Sequence, residues 1–368
     1  MLPPGFTSRR IAVGEQPVGS TGYTLPRYPD GQATFKTGDG GWILVTNSES
    51  PAAVGGGVSA TRFAADGTIT NAYRILGGTS VNCAGGPTPR GTWLSGEEHD
   101  GGMIWECDPA GRVAAQARPA LGVFAHEAAA VDRVGERLYL TEDRPNGGFY
   151  RFTPNAYPDL SAGLLEVAEV AGDLSVTWHA VPDPTTALTG TPTRLQVAGM
   201  TAFNGGEGIW YAAGVLYFTT KGDVKVWAYT PSTQTIEVLY DAALAPAASL
   251  DAVDNVTVSA AGEVLVCEDG GNLEVGIIST DRFVAPLLRF TGPEHAASEL
   301  CGVVFDPTGT RLYVTSQRAE ITPGVQLGAV YEISGPFVVP AGGVPADLVY
   351  GPPLGETLPP PPPPPPPP

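Results

Sequence analysis

Six short apolar runs punctuate an otherwise turn-rich chain. They are Trp42-Ile-Leu-Val, Thr92-Trp-Leu-Ser, Leu138-Tyr-Leu-Thr, Leu216-Tyr-Phe-Thr, Val264-Leu-Val-Cys and Leu312-Tyr-Val-Thr. Each reads as a strand because β-branched and aromatic residues sit between glycine, proline or polar clusters. Their starts lie 50, 46, 78, 48 and 48 residues apart. The long interval fits the period if roughly 30 residues are inserted, and 154–192 is the natural place. Several runs follow a glycine turn, as in DPTGTRLYVT and SAAGEVLVCE. This period predicts an all-β, six-bladed β-propeller over 1–345, each blade a four-stranded meander. A β-sandwich with accidental spacing is the alternative. Beyond it, residues 359–368 are ten prolines, a polyproline II rod. Residues 346–368 are therefore expected to form a disordered proline-rich tail, which could tether a further domain.

Composition agrees with that picture. The 368 residues include 48 glycines and 37 prolines, and 42% are hydrophobic, so a sizeable core with many turns is expected. The net charge of −18 argues against nucleic-acid recognition and against an anionic membrane surface. No segment is long and apolar enough to span a bilayer. The opening MLPPGFTSRRIAVGEQ has Arg9-Arg10 but no apolar stretch after it, so it does not read as a signal peptide. The four cysteines, Cys83, Cys107, Cys267 and Cys301, form no CxxC pair and no zinc spacing.

The acidity gains meaning from its placement. The strand before each run begins near one potential ligand: Asp30, Cys83, Glu127, Glu207, Asp254 with Asn255, and Glu299. The ends of the following strands carry Glu49, Glu97 with Glu98, Glu142 with Asp143, Asp223, and Glu268 with Asp269. In an antiparallel pair these two ends share one edge, so both sets should converge on one mouth of the central channel. Crowded carboxylates raise each other's pKa, and a multivalent cation is the simplest relief. The plain alternative is separate solvated turn acids. Oxygen ligands suit calcium, whereas the thiol of Cys83 suits a transition metal such as iron. His126 precedes Glu127 and should point to the opposite face, as outer support or as an interior histidine. Arg90, Arg144, Arg151, Arg318 and Lys221 lie near predicted mouth segments, where any could hold an anion.

The segments NCAGGPTPRGTWLSGEE, LGVFAHEAAAVD, LYLTEDRPNGGFYRFTP, GEGIWYAAGVLYFTT and VDNVTVSAAGEVLVCEDGG resemble, in that order, the PhoX alkaline phosphatase family. The likeness covers nearly all of residues 2–340. It implies a six-bladed propeller with iron (Fe3+) and calcium (Ca2+) at the channel mouth. The implied activity is hydrolysis of phosphorylated small molecules, in an extracytoplasmic setting. By motif match, Cys83, Glu98, Glu127 and Glu207 would be catalytic and iron-side ligands. Asp254, Asn255, Glu268 and Asp269 would be calcium-side ligands. Arg144 and Lys221 are the substrate-binding candidates, with His126 and Glu142 supporting the ligands. The chain departs from the pattern at Asn47-Ser48-Glu49, where Asn-His-Glu is usual, at Arg90 and at Gly96. It also has FNGG before Glu207, where a phosphate-binding arginine is expected. Two other functions fit the residues: a calcium-dependent lactonase or arylesterase, and a non-catalytic metal-binding propeller.

Overall fold

The six apolar runs are the second strands of six separate antiparallel sheets. A computed structural model describes residues 1–185, 190–245 and 250–356. The innermost strands are Pro29–Lys36, Asn82–Pro87, His126–Asp132, Gly206–Ala212, Val256–Val258 and Leu300–Phe305. Each pairs with the run that follows it, and the meander continues outward. The ring closes where the N-terminal strand Thr7–Val13 adds to the outside of the last blade, against Ala329–Ser334. This leaves the sheet of the sixth blade made from both ends of the propeller.

Inner strands are walled in by their neighbours, so they must be narrow. Small residues supply that narrowness. A Cβ on Gly31 would lie 2.5 Å from the Ala84 Cα, and one on Gly208 would lie 2.6 Å from the Asn255 Cα. Further out, large rings fill the widening wedge between blades. Trp42 stacks on Phe63 at 5.2 Å, and Phe149 of the third blade stacks on Phe218 of the fourth at 4.5 Å.

The extra length expected around 154–192 falls in the third blade. Its first part is the regular fourth strand, Asp159–Val170. A fifth strand, Val176–Ala180, follows, and the connection to the fourth blade then returns toward the mouth. Residues 186–189 of that segment lie outside the described residues.

Residues 346–356 do not stand off as the tail assigned to them from sequence. They run across the end of the ring opposite the inner-strand starts. The Ala346 carbonyl accepts from Arg133 at 3.0 Å, and Asp347 accepts the Ala213 N–H at 2.6 Å. Tyr350 is buried against Trp210 and Phe35, and its carbonyl accepts the Lys36 N–H at 3.2 Å. Glu356 pairs with Arg62 and Arg112 at 3.1 and 2.8 Å. An aromatic plug with paired ends has left the entropy of a free tail behind. The proline run 359–368 lies outside the described residues.

Candidate metal centre

Five of the six innermost strands start with a defect; Val256–Val258 pairs without one. Register shifts fall between Pro29 and Gln32, Asn82 and Gly85, His126 and Ala129, Gly206 and Ile209, and Cys301 and Val304. Four of these intervals contain Asp30, Cys83, Glu127 and Glu207. A bulge inserts a residue and turns its side chain off the pleat. Here it turns an acid or a thiol into the channel. The backbone groups freed by the bulges are satisfied from the preceding blade. Thr141 donates to the Glu207 carbonyl at 2.5 Å, Thr219 donates to the Asp254 carbonyl, and the Asn47 amide donates to the Cys83 and Ala84 carbonyls at 3.2 and 2.8 Å. Asn47 is thus held in place as scaffold, its own carbonyl accepting from Trp93 and Ser95.

Two groups of ligand atoms result. Cys83, Glu98 and Glu127 form one, and Glu127, Glu207 and Asp254 form the other; within each, the atoms lie within 4.8 Å of one another. Glu127 belongs to both. It is fully buried, and neither of its carboxylate oxygens has a hydrogen-bond partner. Asp30 nearby is 1% exposed, with Oδ1 unpartnered and Oδ2 accepting from Gln317 and from the Cys83 thiol at 3.4 Å.

Such a cluster is electrostatically costly in the absence of cations. Burial, then Glu207 and Glu98, pushes Glu127 well above the usual carboxylate range. Burial and the neighbouring acids do the same to Asp254, and to Glu207 despite relief from Lys221. Burial and Asp143 push Glu98 up to about 8. Burial and Glu49 push Asp30 up to about 7. Burial and Asp30 push the Cys83 thiol up. Buried orphan oxygens facing one another, with a soft sulfur alongside, fit a mixed set of multivalent cations.

The other predicted ligands take different places. Glu268 is buried at the end of its strand, but its oxygens accept the Asp251 and Glu274 N–H groups at 2.8 Å each. The Asn255 carbonyl accepts the Gly302 N–H at 2.8 Å and its amide donates to Asp254 at 2.9 Å, so it braces that carboxylate. Asp269 hydrogen-bonds to Glu299, beside the two groups and outside both. Glu142 accepts from Gly148, Tyr150 and Arg194, a cation reaching in from the third-blade connection. His126 faces away from the channel. Its Nε2 lies 3.0 Å from the Gly122 carbonyl, its ring lies against Phe124, and burial lowers it to about 3.

Two cations stand at the mouth. The Lys221 Nζ lies 2.7 Å from Glu207 and 2.8 Å from Asp143. Arg318 lies 3.0 Å from Glu49 and 3.5 Å from Glu299. Arg144 instead pairs with the exposed Asp100 at 2.9 Å. Sequence reasoning missed Arg194 altogether, since nothing local marks which arginine of a long connection will turn inward. All four thiols are free and buried; Cys301 lies 3.0 Å from the Thr315 hydroxyl, and Cys107 and Cys267 are core residues.

Comparison with known proteins adds the following. A family model described as alkaline phosphatase PhoX matches residues 46–102 and 99–320. Among solved structures, PhoX of Pseudomonas fluorescens in complex with vanadate, a transition state analogue, is similar with a TM-score of 0.74 and 16% identity, over 95% of this chain and 97% of that one. A protein of unknown function from Bacteroides thetaiotaomicron gives 0.56 and 11%, over 89% and 76%. Another from Dyadobacter fermentans gives 0.50 and 11%, over 90% and 100%. At these identities the likenesses establish the propeller fold. No curated protein sequence matches the chain.

Proposed function

Since the chain belongs to the PhoX alkaline phosphatase family, we propose that it is a metal-dependent phosphomonoesterase working at the mouth of its propeller. The observation that carries this reading is Glu127, a buried carboxylate shared by two ligand groups with both oxygens unpartnered. Cys83, Glu98 and Glu127 would hold iron. Glu127, Glu207 and Asp254 would hold calcium, with Asp269 and Asn255 at its border. Bound there, these ions would supply Lewis-acid polarisation of a phosphoryl group and a lowered pKa for water.

The protein's own residues supply the rest. The bulges fix Cys83, Glu127 and Glu207 on short, buried strands, so little reorganisation accompanies binding. Lys221 is the cation nearest the cluster and takes the place of the arginine that FNGG lacks. A Cβ on Gly205 would lie 3.0 Å from the Lys221 side chain, so the lysine stem occupies the space that a longer residue at 205 would need. Its ammonium contacts two carboxylates and keeps a further N–H for a phosphoryl oxygen. Tyr350 and its neighbours close the far end of the ring, so substrate reaches the cluster from the mouth. The substrate is a phosphorylated small molecule, met in an extracytoplasmic compartment.

The test is p-nitrophenyl phosphate hydrolysis by protein purified without chelators, with elemental analysis of the same sample. Metal-stimulated release of nitrophenol supports the reading, and loaded protein that hydrolyses lactones but no phosphate ester overturns it. Cys83→Ser separates the two chemistries further. It should lose the iron and at least about 90% of the phosphatase rate while retaining calcium, because a hydroxyl is a poor substitute for a soft thiolate. Lys221→Gln should raise KM for p-nitrophenyl phosphate about tenfold, about 1.4 kcal/mol of binding. An unchanged KM would remove Lys221 from substrate contact.

A further inference from the structure

We propose that Arg318 is a second substrate-binding cation, placed across the mouth from Lys221, and that the two together select a doubly charged terminal phosphoryl group. The inference rests on the phosphatase reading above.

Arg318 follows the second strand of the sixth blade, Arg311–Ser316, whereas Lys221 follows the second strand of the fourth, Val215–Thr220. Both positions lie at the mouth edge of the ring. Both cations also act on one carboxylate: burial pushes Glu49 up, and Arg318, the Gln317 hydrogen bond and then Lys221 pull it back. In contact, Lys221 reaches Glu207 and Asp143 while Arg318 reaches Glu49 and Glu299, so the two approach the mouth acids from different blades.

Arg318 is held as a tool would be. Its backbone N–H donates to the Ser298 hydroxyl at 2.9 Å. Ser316 donates to the same hydroxyl at 2.8 Å, and the buried His295 Nδ1 lies 2.8 Å from Ser316. The guanidinium lies over the Tyr28 ring, 4.9 Å from its centroid. Tyr28 has a φ of +56°, a left-handed conformation that a bulky residue adopts at a cost. Strain of that kind persists where the surroundings impose it, and it clusters at binding sites. The side chain remains 35% exposed, so the fork is not sealed behind its two acids. A guanidinium offers five donors, and the contacts with Glu49 and Glu299 leave others for phosphate oxygens.

A lone lysine meets phosphate as a point charge. Adding a planar fork opposite it favours a terminal group with several free oxygens. A diester has fewer free oxygens and less charge, so it loses more than it gains at such a clamp.

The experiment compares wild type, Arg318→Gln, Arg318→Lys and the control Arg282→Gln, which alters an outer pair with Glu237. Equilibrium binding of inorganic phosphate is measured by calorimetry on protein as purified, with elemental analysis of each sample. Kinetics on p-nitrophenyl phosphate and bis-p-nitrophenyl phosphate accompany it. Arg318→Gln should weaken phosphate binding about 10- to 100-fold with metal content unchanged, and should narrow the preference for monoester over diester. Arg318→Lys should recover part of the affinity, and Arg282→Gln should match wild type. Full phosphate affinity in Arg318→Gln overturns the inference. So does loss of metal in step with loss of phosphate, since the arginine would then serve only to balance the acids. Wild-type protein that binds phosphate through Arg318 yet releases no nitrophenol supports the inference and sinks the phosphatase reading. Wild-type protein that binds no phosphate overturns both.

Discussion

Glu127→Gln should abolish phosphatase activity, by at least about a thousandfold or about 4 kcal/mol of transition-state stabilisation, while leaving the fold intact. Among the described residues, no other side chain belongs to both ligand groups. The amide matches the carboxylate in shape, but it carries no charge and presents only one acceptor oxygen. Both sets of ligands should therefore lose affinity together, and elemental analysis should show a fall in iron and calcium alike. Stability separates this from ordinary damage to the core. A buried carboxylate pushed up by burial and by Glu207 and Glu98 opposes folding whenever it is ionised. Replacing it should leave the thermal midpoint of chelator-treated protein unchanged or raised, and should make that midpoint less sensitive to alkali. A variant that keeps its metals and rate removes Glu127 from the centre. One that unfolds in chelator shows a structural role instead.

The propeller was legible because its period is carried by strands that every blade needs. Leu138-Tyr-Leu-Thr and Leu312-Tyr-Val-Thr are second strands with both faces buried, and such runs have few alternatives to being strands. The ring of acids at the mouth was legible for a related reason. One acid or thiol stands at each inner-strand start, often before glycine or alanine: Asp30-Gly31, Cys83-Ala84, Glu127-Ala128, Glu207-Gly208. The bulge needs that small neighbour, because the next blade is only an atom's width away.

The acids at the ends of the second strands could not be sorted so easily. Glu97, Glu142 and Glu268 each accept the N–H of the residue six positions later, from Met103, Gly148 and Glu274. One device thus recurs in three blades, clasping the loop into the third strand. The recurrence of this six-residue clasp is the signal that could have marked these three acids as loop scaffold. The pairs Glu97-Glu98 and Glu142-Asp143 make the point locally. The first member ties the loop; the second reaches the mouth, where Glu98 joins a ligand group and Asp143 meets Lys221. Such a division depends on which way consecutive side chains alternate at a strand end, and periodicity alone does not register that.

Protein stripped with chelator should lose stability as pH rises. Burial first, and neighbouring acids after it, push Asp30, Glu98 and Glu299 up to about 7, about 8 and about 9. Their unfolded values are near 4. A carboxyl whose folded pKa is the higher holds its proton more tightly in the native state. Its contribution is therefore complete below the unfolded pKa and is lost as pH climbs through the folded one. The window runs from about pH 4 upward through pH 9, and Glu127, Glu207 and Asp254 extend it in the same direction. Each group that loses a proton on unfolding contributes up to about 1.4 kcal/mol per pH unit, so several in concert should lower the melting temperature by several degrees between pH 6 and pH 9. Added calcium and iron should abolish the slope, because bound cations favour the ionised form that bare burial opposes, and saturating ligand adds stability of its own. Differential scanning fluorimetry across that range, with and without chelator, reads both effects. A midpoint in chelator that stays flat or rises with pH would show that these acids are not crowded in solution, and the centre would lose its electrostatic basis.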